Sequence, residues 1–355
     1  MEQSKQQSSL LSDAFPWIQT PLISNAPMSG FASHELAVAV TQSGGLGQIG
    51  FTGSPGILET ELQETKQRLR GSPVYNEASK VLPVGVGIIA FGGRAKSWIE
   101  TFAKHKPAMV WLSFGDTAEF NSWTESIRSA SPDTKIWIQV GSVGAALEAA
   151  ATCAPDALVL QGIDAGGHGH KHGASIITLV PEAMDALCEQ GFSNIPLIAA
   201  GGIMDRRSVV AAIALGAAGV VMGTRFLACQ EIEMASEVVD ECLRVSDGGK
   251  ATVRSRVFDD IWGQNFWPEM YDGRCLRNAM YDNVEEAGMS IQEARMNLRD
   301  QSKNEIGSQL VVKDFHTIWA GTGIGLLKKQ EKASDIVYQI RQEARTLMLE
   351  LNGRL

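Results

Sequence analysis

The residues best suited to chemistry lie in residues 161–173, which read QGIDAGGHGHKHG. This segment contains three histidines and five glycines, and it follows the apolar run 157–160, which is typical of a short buried strand. A neutral imidazole can accept a proton near pH 7, because histidine ordinarily titrates at about pH 6.5. The segment is therefore predicted to be a loop that carries an acid–base group at the end of a strand.

Two interpretations of the three histidines differ in their chemistry. The alternating positions of His168, His170 and His172 would put three imidazoles on one face of a strand, where they could bind a metal. The flanking glycines argue against a strand, and no neighbouring carboxylate or cysteine cluster completes a metal site. We therefore predict no metal site, with His168 as the general base and His170 and His172 as solvated loop residues.

Two further glycine-rich segments, AAGGIMD at residues 199–205 and MGTRF at residues 222–226, each end an apolar run. Glycine allows backbone N–H groups to approach phosphate oxygens closely. Two such loops about 20 residues apart predict a phosphate site at one end of a barrel. Arg225 either contacts that phosphate or pairs with a carboxylate, and the sequence leaves both alternatives open.

The elements that must position these residues alternate regularly along the chain. Eight short apolar segments are each followed by a helical pattern, which predicts an α/β fold with a closed (β/α)8 barrel, also called a TIM barrel. An open doubly wound sheet is the competing fold. It would need a glycine-rich dinucleotide turn after the first strand, where the sequence instead reads APMSGFAS. The predicted strands are residues 21–28, 44–50, 82–88, 108–112, 135–140, 157–160, 195–200 and 218–222.

The alternation ends near residue 230, and most of the late aromatic residues follow it. We predict a (β/α)8 barrel domain at residues 13–250, an inserted, mainly helical cap at residues 251–320, and a C-terminal helix at residues 321–355 that returns to the barrel. The aromatic residues of the cap would either line an apolar pocket or form the core of the cap, and the second interpretation is favoured.

Composition excludes several classes of partner. The chain has 31 Lys and Arg against 40 Asp and Glu, a net charge of -9, and it lacks a basic run, so neither nucleic acid nor a membrane is expected as a partner. The five cysteines are scattered and never form a CxxC pair, which favours a reducing compartment. No run of about 18 apolar residues predicts a membrane span. We expect a soluble cytoplasmic protein, with a homo-oligomer among the open alternatives.

Taken together, QGIDAGGHG (residues 161–169), AAGGIMD (residues 199–205) and GTRFL (residues 223–227) resemble the nitronate monooxygenase family, formerly called 2-nitropropane dioxygenases. NAPM, SGGLG and WAGTGIG elsewhere in the chain are similar to the same family. Other FMN barrels share the glycine loops, whereas a histidine directly after AGG is more specific. The sequence differs from part of the family at Gly87, where those members carry asparagine.

This resemblance implies a non-covalent FMN cofactor and the oxidative denitrification of nitronates. In that chemistry a nitronate passes an electron to the flavin, dioxygen reoxidises it, and a carbonyl compound and nitrite are formed. Where a neutral nitroalkane is the substrate, His168 would remove the proton next to the nitro group. The residues implied to bind the cofactor are Ala26, Pro27, Met28, Gln161, Gly166, Ala200, Gly201, Gly202, Gly223 and Thr224.

Three alternatives stay open on the sequence alone. One is an FMN barrel that a nicotinamide reduces, as in quinone or enoyl reductases, although no second dinucleotide motif is evident. Another is a related flavin oxidase or monooxygenase with a different substrate. The third is a barrel that has lost turnover and serves as a binding subunit.

Overall fold

Eleven strands are present in the part of the chain that the computed structural model describes, which is residues 2–93, 96–304 and 317–353. The strands are β1 (Leu22–Asn25), β2 (Gln48–Ile49), β3 (Leu82–Ile89), β4 (Pro107–Ser113), β5 (Lys135–Val140), β6 (Ala157–Gln161), β7 (Gly167–His170), β8 (Leu197–Ala200), β9 (Gly219–Met222), β10 (Thr252–Ser255) and β11 (Tyr271–Leu276). Eight of them pair in parallel, in the order β1, β9, β8, β6, β5, β4, β3 and β2. The other three form a separate antiparallel sheet.

The eight parallel strands form a nearly closed barrel. One edge of β1 pairs with β9, where Leu22 lies opposite Gly219, and on its other edge Ser24 bridges to Leu46, just before β2. Each barrel strand overlaps one of the eight segments predicted from the sequence, with helices between them. The prediction of a (β/α)8 barrel is therefore confirmed.

Helices connect the barrel strands and cover the outside of the barrel. The longer helices among the described residues are Glu2–Ala14, His34–Gln42, Pro55–Leu69, Lys96–His105, Thr117–Ala130, Val143–Cys153, Ile176–Glu189, Arg206–Ala214, Ser236–Arg244, Ile291–Asn304 and Ala333–Asn352. Shorter helical turns are Thr224–Phe226, Gly248–Ala251, Val257–Asp260, Ala279–Tyr281, Asp282–Glu286 and Thr322–Leu326. Within the described ranges, none of these helices combines the length and the apolar character that crossing a bilayer requires.

Successive side chains of each strand point alternately outward and into the barrel, which divides the core into two layers. On β4, Val110 packs against the surrounding helices, while its neighbour Trp111 points into the barrel and meets Trp137 of β5. All three side chains are buried. The barrel interior is therefore filled by side chains, as expected for eight strands, and this leaves the site to form above them.

An N-terminal helix that the sequence did not predict closes the bottom of the barrel. Leu11 of the helix Glu2–Ala14, and Phe15 just after it, are buried in the interior cluster, and the Phe15 ring meets Trp137 edge-on at 5.9 Å. Gln7 donates to the carbonyl of Ser193, in the loop before β8. The polar composition of this helix hides its role, because only a few of its residues face inward.

The separate sheet corrects the predicted loop around the histidines. Residues 167–170 are not a loop but the strand β7, which pairs antiparallel with β11, and β10 completes the sheet. Glycine suits these strand positions because neighbouring side chains leave no space for a Cβ atom. A Cβ on Gly169 would lie 2.6 Å from Oε1 of Gln161, and one on Gly273 of β11 would lie 2.1 Å from the Trp319 ring. The prediction of a mainly helical cap at residues 251–320 therefore missed two strands, β10 and β11. Residues 305–316 of the predicted cap lie outside the described residues.

The C-terminal helix Ala333–Asn352 packs against the barrel wall. Its Arg341 is fully buried and donates to the carbonyls of Ser43 and Gly44, at the end of the helix His34–Gln42. The predicted division at residues 250 and 320 into barrel, cap and returning helix stays a prediction.

Candidate active site

A cavity of about 690 Å³ opens at the carboxyl ends of the barrel strands and is lined in part by the segment that follows β9. All of the residues predicted for the site line it: His168 and the ten residues implied to bind FMN. They come from β1, β6, β7, β8 and β9 and the loops after them. The structure thus brings these residues together, while their individual roles stay predictions.

One end of the cavity is a glycine cradle after β8 and β9. Gly201 and Gly202 have φ angles of +102° and +72°, a backbone conformation that side chains rarely adopt, and a Cβ on Gly201 would lie 2.7 Å from the carbonyl oxygen of Gly162. Within the described ranges, no backbone hydrogen bond outside the regular elements uses the N–H groups of Gly201, Gly202 or Gly223. These N–H groups can therefore bind the oxygens of an anion such as a phosphate.

Thr224 and Arg225 follow this cradle and differ in their availability. The Thr224 hydroxyl accepts a hydrogen bond from the N–H of Gly321 at 2.9 Å, which leaves its own O–H free to donate to a ligand. Arg225 instead pairs with Glu331, and both of these side chains are largely buried. Of the two alternatives for Arg225, the structure supports the carboxylate partner.

His168 also lines the cavity, and contacts hold it on several sides. Its Nε2 lies 2.9 and 3.0 Å from the two carboxylate oxygens of Asp259. Its ring stacks on Trp267, with centroids 3.7 Å apart and an angle of 8° between the planes, and Trp319 lies 4.5 Å away. The side chain is 13% exposed. Its orientation is therefore fixed by groups that the sequence did not reveal, because Asp259 and Trp267 lie about 90 or more residues further along the chain.

The backbone of His168 is positioned by β7 and by two glutamines. In the pairing of β7 with β11, His168 lies opposite Gly273. The carbonyl of His168 accepts a hydrogen bond from Nε2 of Gln161 at 3.0 Å. Gln161 in turn accepts from Nε2 of Gln139 at 3.1 Å. These contacts tie His168 to the ends of β5 and β6, so that its position depends on the barrel itself.

The other two histidines lie outside the cavity wall. His170 is not the solvated residue that was predicted, because it packs edge-on against Tyr271 at 5.2 Å in the small sheet. Burial, together with the nearby Arg254 guanidinium, lowers the pKa of His170. His172 is exposed. In the described parts of the chain, no group of three or more His, Cys, Asp or Glu side chains could hold a metal ion.

The aromatic residues of the predicted cap do more than form its core. Phe258 is buried within the cap, yet it also lines the cavity, as do Trp262, Trp267 and Trp319. The interpretation that these residues form only a core is therefore wrong for Trp267 and Trp319, which contact His168. They give the cavity an apolar wall around His168.

The cavity fits a flavin mononucleotide in two respects. The glycine cradle would hold the phosphate, and Trp111, which also lines the cavity, has a buried indole N–H without a hydrogen-bond partner among the described residues. Gly87, the difference from part of the resembled family, also lines the cavity. A Cβ there would lie 2.5 Å from the Cβ of Pro27, so this backbone has no room for an asparagine.

Comparison with known proteins agrees with this geometry. A sequence profile of the nitronate monooxygenase family matches residues 9–343. The nitronate monooxygenase npaC of Metarhizium robertsii is 41% identical over 350 residues, which cover 97% of each chain, and a nitronate monooxygenase of Neurospora crassa is 35% identical over 360 residues, which cover 94% of this chain and 92% of that protein. The structure of FabK from Thermotoga maritima superimposes with a TM-score of 0.72 at 25% identity and covers 97% of this chain and 98% of its own. The resemblance in the motifs is thus confirmed along nearly the whole length, and the chain belongs to the nitronate monooxygenase family.

Proposed function

We propose that the protein oxidises alkyl nitronates with dioxygen, using a non-covalently bound FMN, and releases a carbonyl compound and nitrite. The reaction balances when two nitronates and one dioxygen give two carbonyl compounds and two nitrites. The observation that carries this proposal is that His168 and the glycine cradle line the same cavity. The family to which the chain belongs supports the same chemistry.

In this proposal the chain holds FMN mainly through its backbone. The N–H groups of Gly201, Gly202 and Gly223 and the hydroxyl of Thr224 bind the phosphate. The residues that contact the ring system and its ribityl chain are Ala26, Pro27, Met28, Gln161, Gly166 and Ala200. Bound FMN supplies the one-electron redox chemistry that protein side chains lack.

His168 acts on the proton next to the nitro group. When a neutral nitroalkane binds, a nitrogen of its imidazole accepts that proton and leaves the substrate as the nitronate anion. A substrate that arrives as the nitronate needs no such step. The apolar wall of Trp267 and Trp319 excludes water from the place where the anion forms. We also propose a cytoplasmic location, which the five free cysteines support.

The test measures products and cofactor in the purified protein. The released cofactor is identified by mass as FMN or another flavin, and nitrite is quantified against oxygen consumption with propyl-nitronate as substrate. We expect FMN and two nitrites for each dioxygen consumed. A protein that binds no flavin, or that consumes the nitronate without forming nitrite, would contradict the proposal.

A further inference from the structure

We propose that Asp259 is a positioning residue that fixes the tautomer of His168 and thereby makes Nδ1 the nitrogen that accepts the substrate proton. The inference rests on the proposed function, because it specifies which atom performs the step assigned there to His168. It concerns a contact between two side chains whose residues are 91 positions apart in the sequence.

The geometry of the pair determines where the imidazole carries its hydrogen. Both oxygens of Asp259 lie within 3.0 Å of Nε2 of His168. A carboxylate can only accept hydrogen bonds, so Nε2 must carry the hydrogen that it donates. In a neutral imidazole the lone pair is then on Nδ1, which is the nitrogen left to act as a base.

The surroundings prevent the ring from exchanging its two nitrogens. Stacking on Trp267 at 3.7 Å and contact with Trp319 at 4.5 Å oppose rotation of the imidazole. The side chains of His168 and Asp259 are each 13% exposed, so solvent competes weakly for their hydrogen bond. The pair is therefore built to present one fixed nitrogen.

Asp259 is also a suitable partner for the charge that the step creates. Among the ion pairs of the described residues, Asp259 pairs with His168. The neighbouring carboxylate of Asp260 instead accepts a hydrogen bond from the side-chain amide of Asn265. In the step, the C–H bond next to the nitro group breaks, its electron pair passes into the nitro group to give the nitronate, and the proton moves to Nδ1. The imidazolium that forms is stabilised by the carboxylate on Nε2.

The decisive variant is Asp259→Asn, because an amide can donate a hydrogen bond to Nε2 and so move the imidazole hydrogen to Nδ1. We expect kcat/KM for nitroethane to fall by at least about tenfold, since general-base catalysis is lost. We expect kcat/KM for ethyl nitronate, which requires no proton removal, to change by less than about threefold. The matched control is Asp260→Asn. It should leave kcat/KM unchanged for both substrates, because Asp260 does not line the cavity.

A second readout does not depend on turnover. In protein labelled with ¹⁵N in its histidines, His168 is assigned by the signal that disappears in His168→Asn, and the spectra are recorded at about pH 9, where imidazoles are ordinarily neutral. We expect Nε2 of the parent to be protonated and Nδ1 to be bare, and Asp259→Asn to abolish this preference. A bare Nε2 in the parent, or equal losses with nitroethane and ethyl nitronate, would overturn the inference. A parent that oxidises neither substrate would instead refute the proposed function.

Discussion

Gly201 shows how a single residue connects backbone geometry to cofactor binding. Its φ of +102° and the nearby carbonyl oxygen of Gly162 leave no room for a side chain, and the residue lines the cavity where we propose that phosphate binds. A side chain here would therefore both strain the backbone and displace the cradle. Gly191, by comparison, has a φ of +82° but has open space around its Cβ position.

We predict that Gly201→Ala weakens FMN binding at least about tenfold, because the N–H groups of the cradle lose their alignment. The matched control is Gly191→Ala, which introduces a side chain at a similar φ, costs stability by about 1 kcal/mol, and leaves the flavin affinity unchanged. Titration of the flavin-free proteins with FMN, followed by fluorescence quenching, measures both affinities. Equal affinities for FMN in the two variants would show that the cradle does not hold the phosphate.

The sequence was sufficient for some residues of the site and insufficient for others. His168 could be predicted because it follows a glycine pair at the end of a buried strand, and the glycines after β8 and β9 because they end apolar runs. Asp259 and Trp267 could not be predicted, because nothing in their local sequence distinguishes a carboxylate or an indole that faces a cavity from one on a surface. Only the fold brings them to His168.

At the scale of elements, β7 determines the environment of two histidines that belong to one short strand. His168 faces the cavity, whereas His170 packs against Tyr271 of β11. Glycine is usually a poor strand former, so the local sequence argued for a loop. Pairing with β11 overrides that preference, because Gly169 and Gly273 are the residues that fit beside Gln161 and Trp319. A strand completed by a partner about 100 residues away leaves no local signal.

His170 makes the stability of this sheet dependent on pH. Burial, with Arg254 nearby, lowers the pKa of His170 in the folded protein, so that the unfolded chain binds a proton first as the pH falls. The stabilising contribution is complete above the unfolded pKa of about 6.5 and is lost as the pH falls through the lower folded value. We predict that the free energy of unfolding decreases between about pH 7 and pH 5 and that His170→Phe, which retains an aromatic ring, reduces this decrease.

Urea unfolding at several pH values measures the difference. The control is His172→Gln, which changes an exposed histidine of the same segment and should preserve the pH dependence of the parent. If His170→Phe retained the full pH dependence of the free energy of unfolding while His172→Gln lost it, the assignment of this dependence to His170 would be wrong.

At the scale of the whole molecule, the C-terminal helix Ala333–Asn352 is attached to the start of the barrel by a buried arginine. Fully buried Arg341 of the C-terminal helix donates to the carbonyls of Pro21, Ser43 and Gly44 near the start of β1 and the end of the helix His34–Gln42. Burial, and secondarily Arg345, lowers the pKa of Arg341 to about 10, so it stays charged near neutral pH. The side chain thus satisfies carbonyl groups that would otherwise lack donors.

We predict that Arg341→Met lowers the free energy of unfolding by about 2 kcal/mol or more, since several buried acceptors lose a charged donor. The control is Arg68→Met, which removes an exposed pair with Glu35 and should cost less than about 1 kcal/mol. Thermal unfolding of the two variants gives the comparison. Equal midpoints would show that the carbonyls near β1 do not depend on Arg341.

The barrel was the part of the molecule that the sequence predicted best, because each strand and helix repeats one local pattern eight times. The elements outside that repeat were missed for a different reason. The helix Glu2–Ala14 packs against barrel residues distant in sequence, and β11, which also pairs with β10, pairs with β7 about 100 residues before it. The local sequence of these elements therefore gives little sign of their partners. These elements nevertheless complete the molecule, since the helix closes the bottom of the barrel and β11 bridges through Cys275 to Trp319, which contacts His168.

The most direct test of the central claim mixes the flavin-loaded protein, without oxygen, with propyl-nitronate and, in separate experiments, with NADH and NADPH. We predict that propyl-nitronate rapidly removes the visible absorbance of the oxidised flavin, whereas the nicotinamides leave it unchanged on the same timescale. Rapid loss of the absorbance with NADH or NADPH, and none with propyl-nitronate, would contradict the account and would assign the barrel to reductase chemistry.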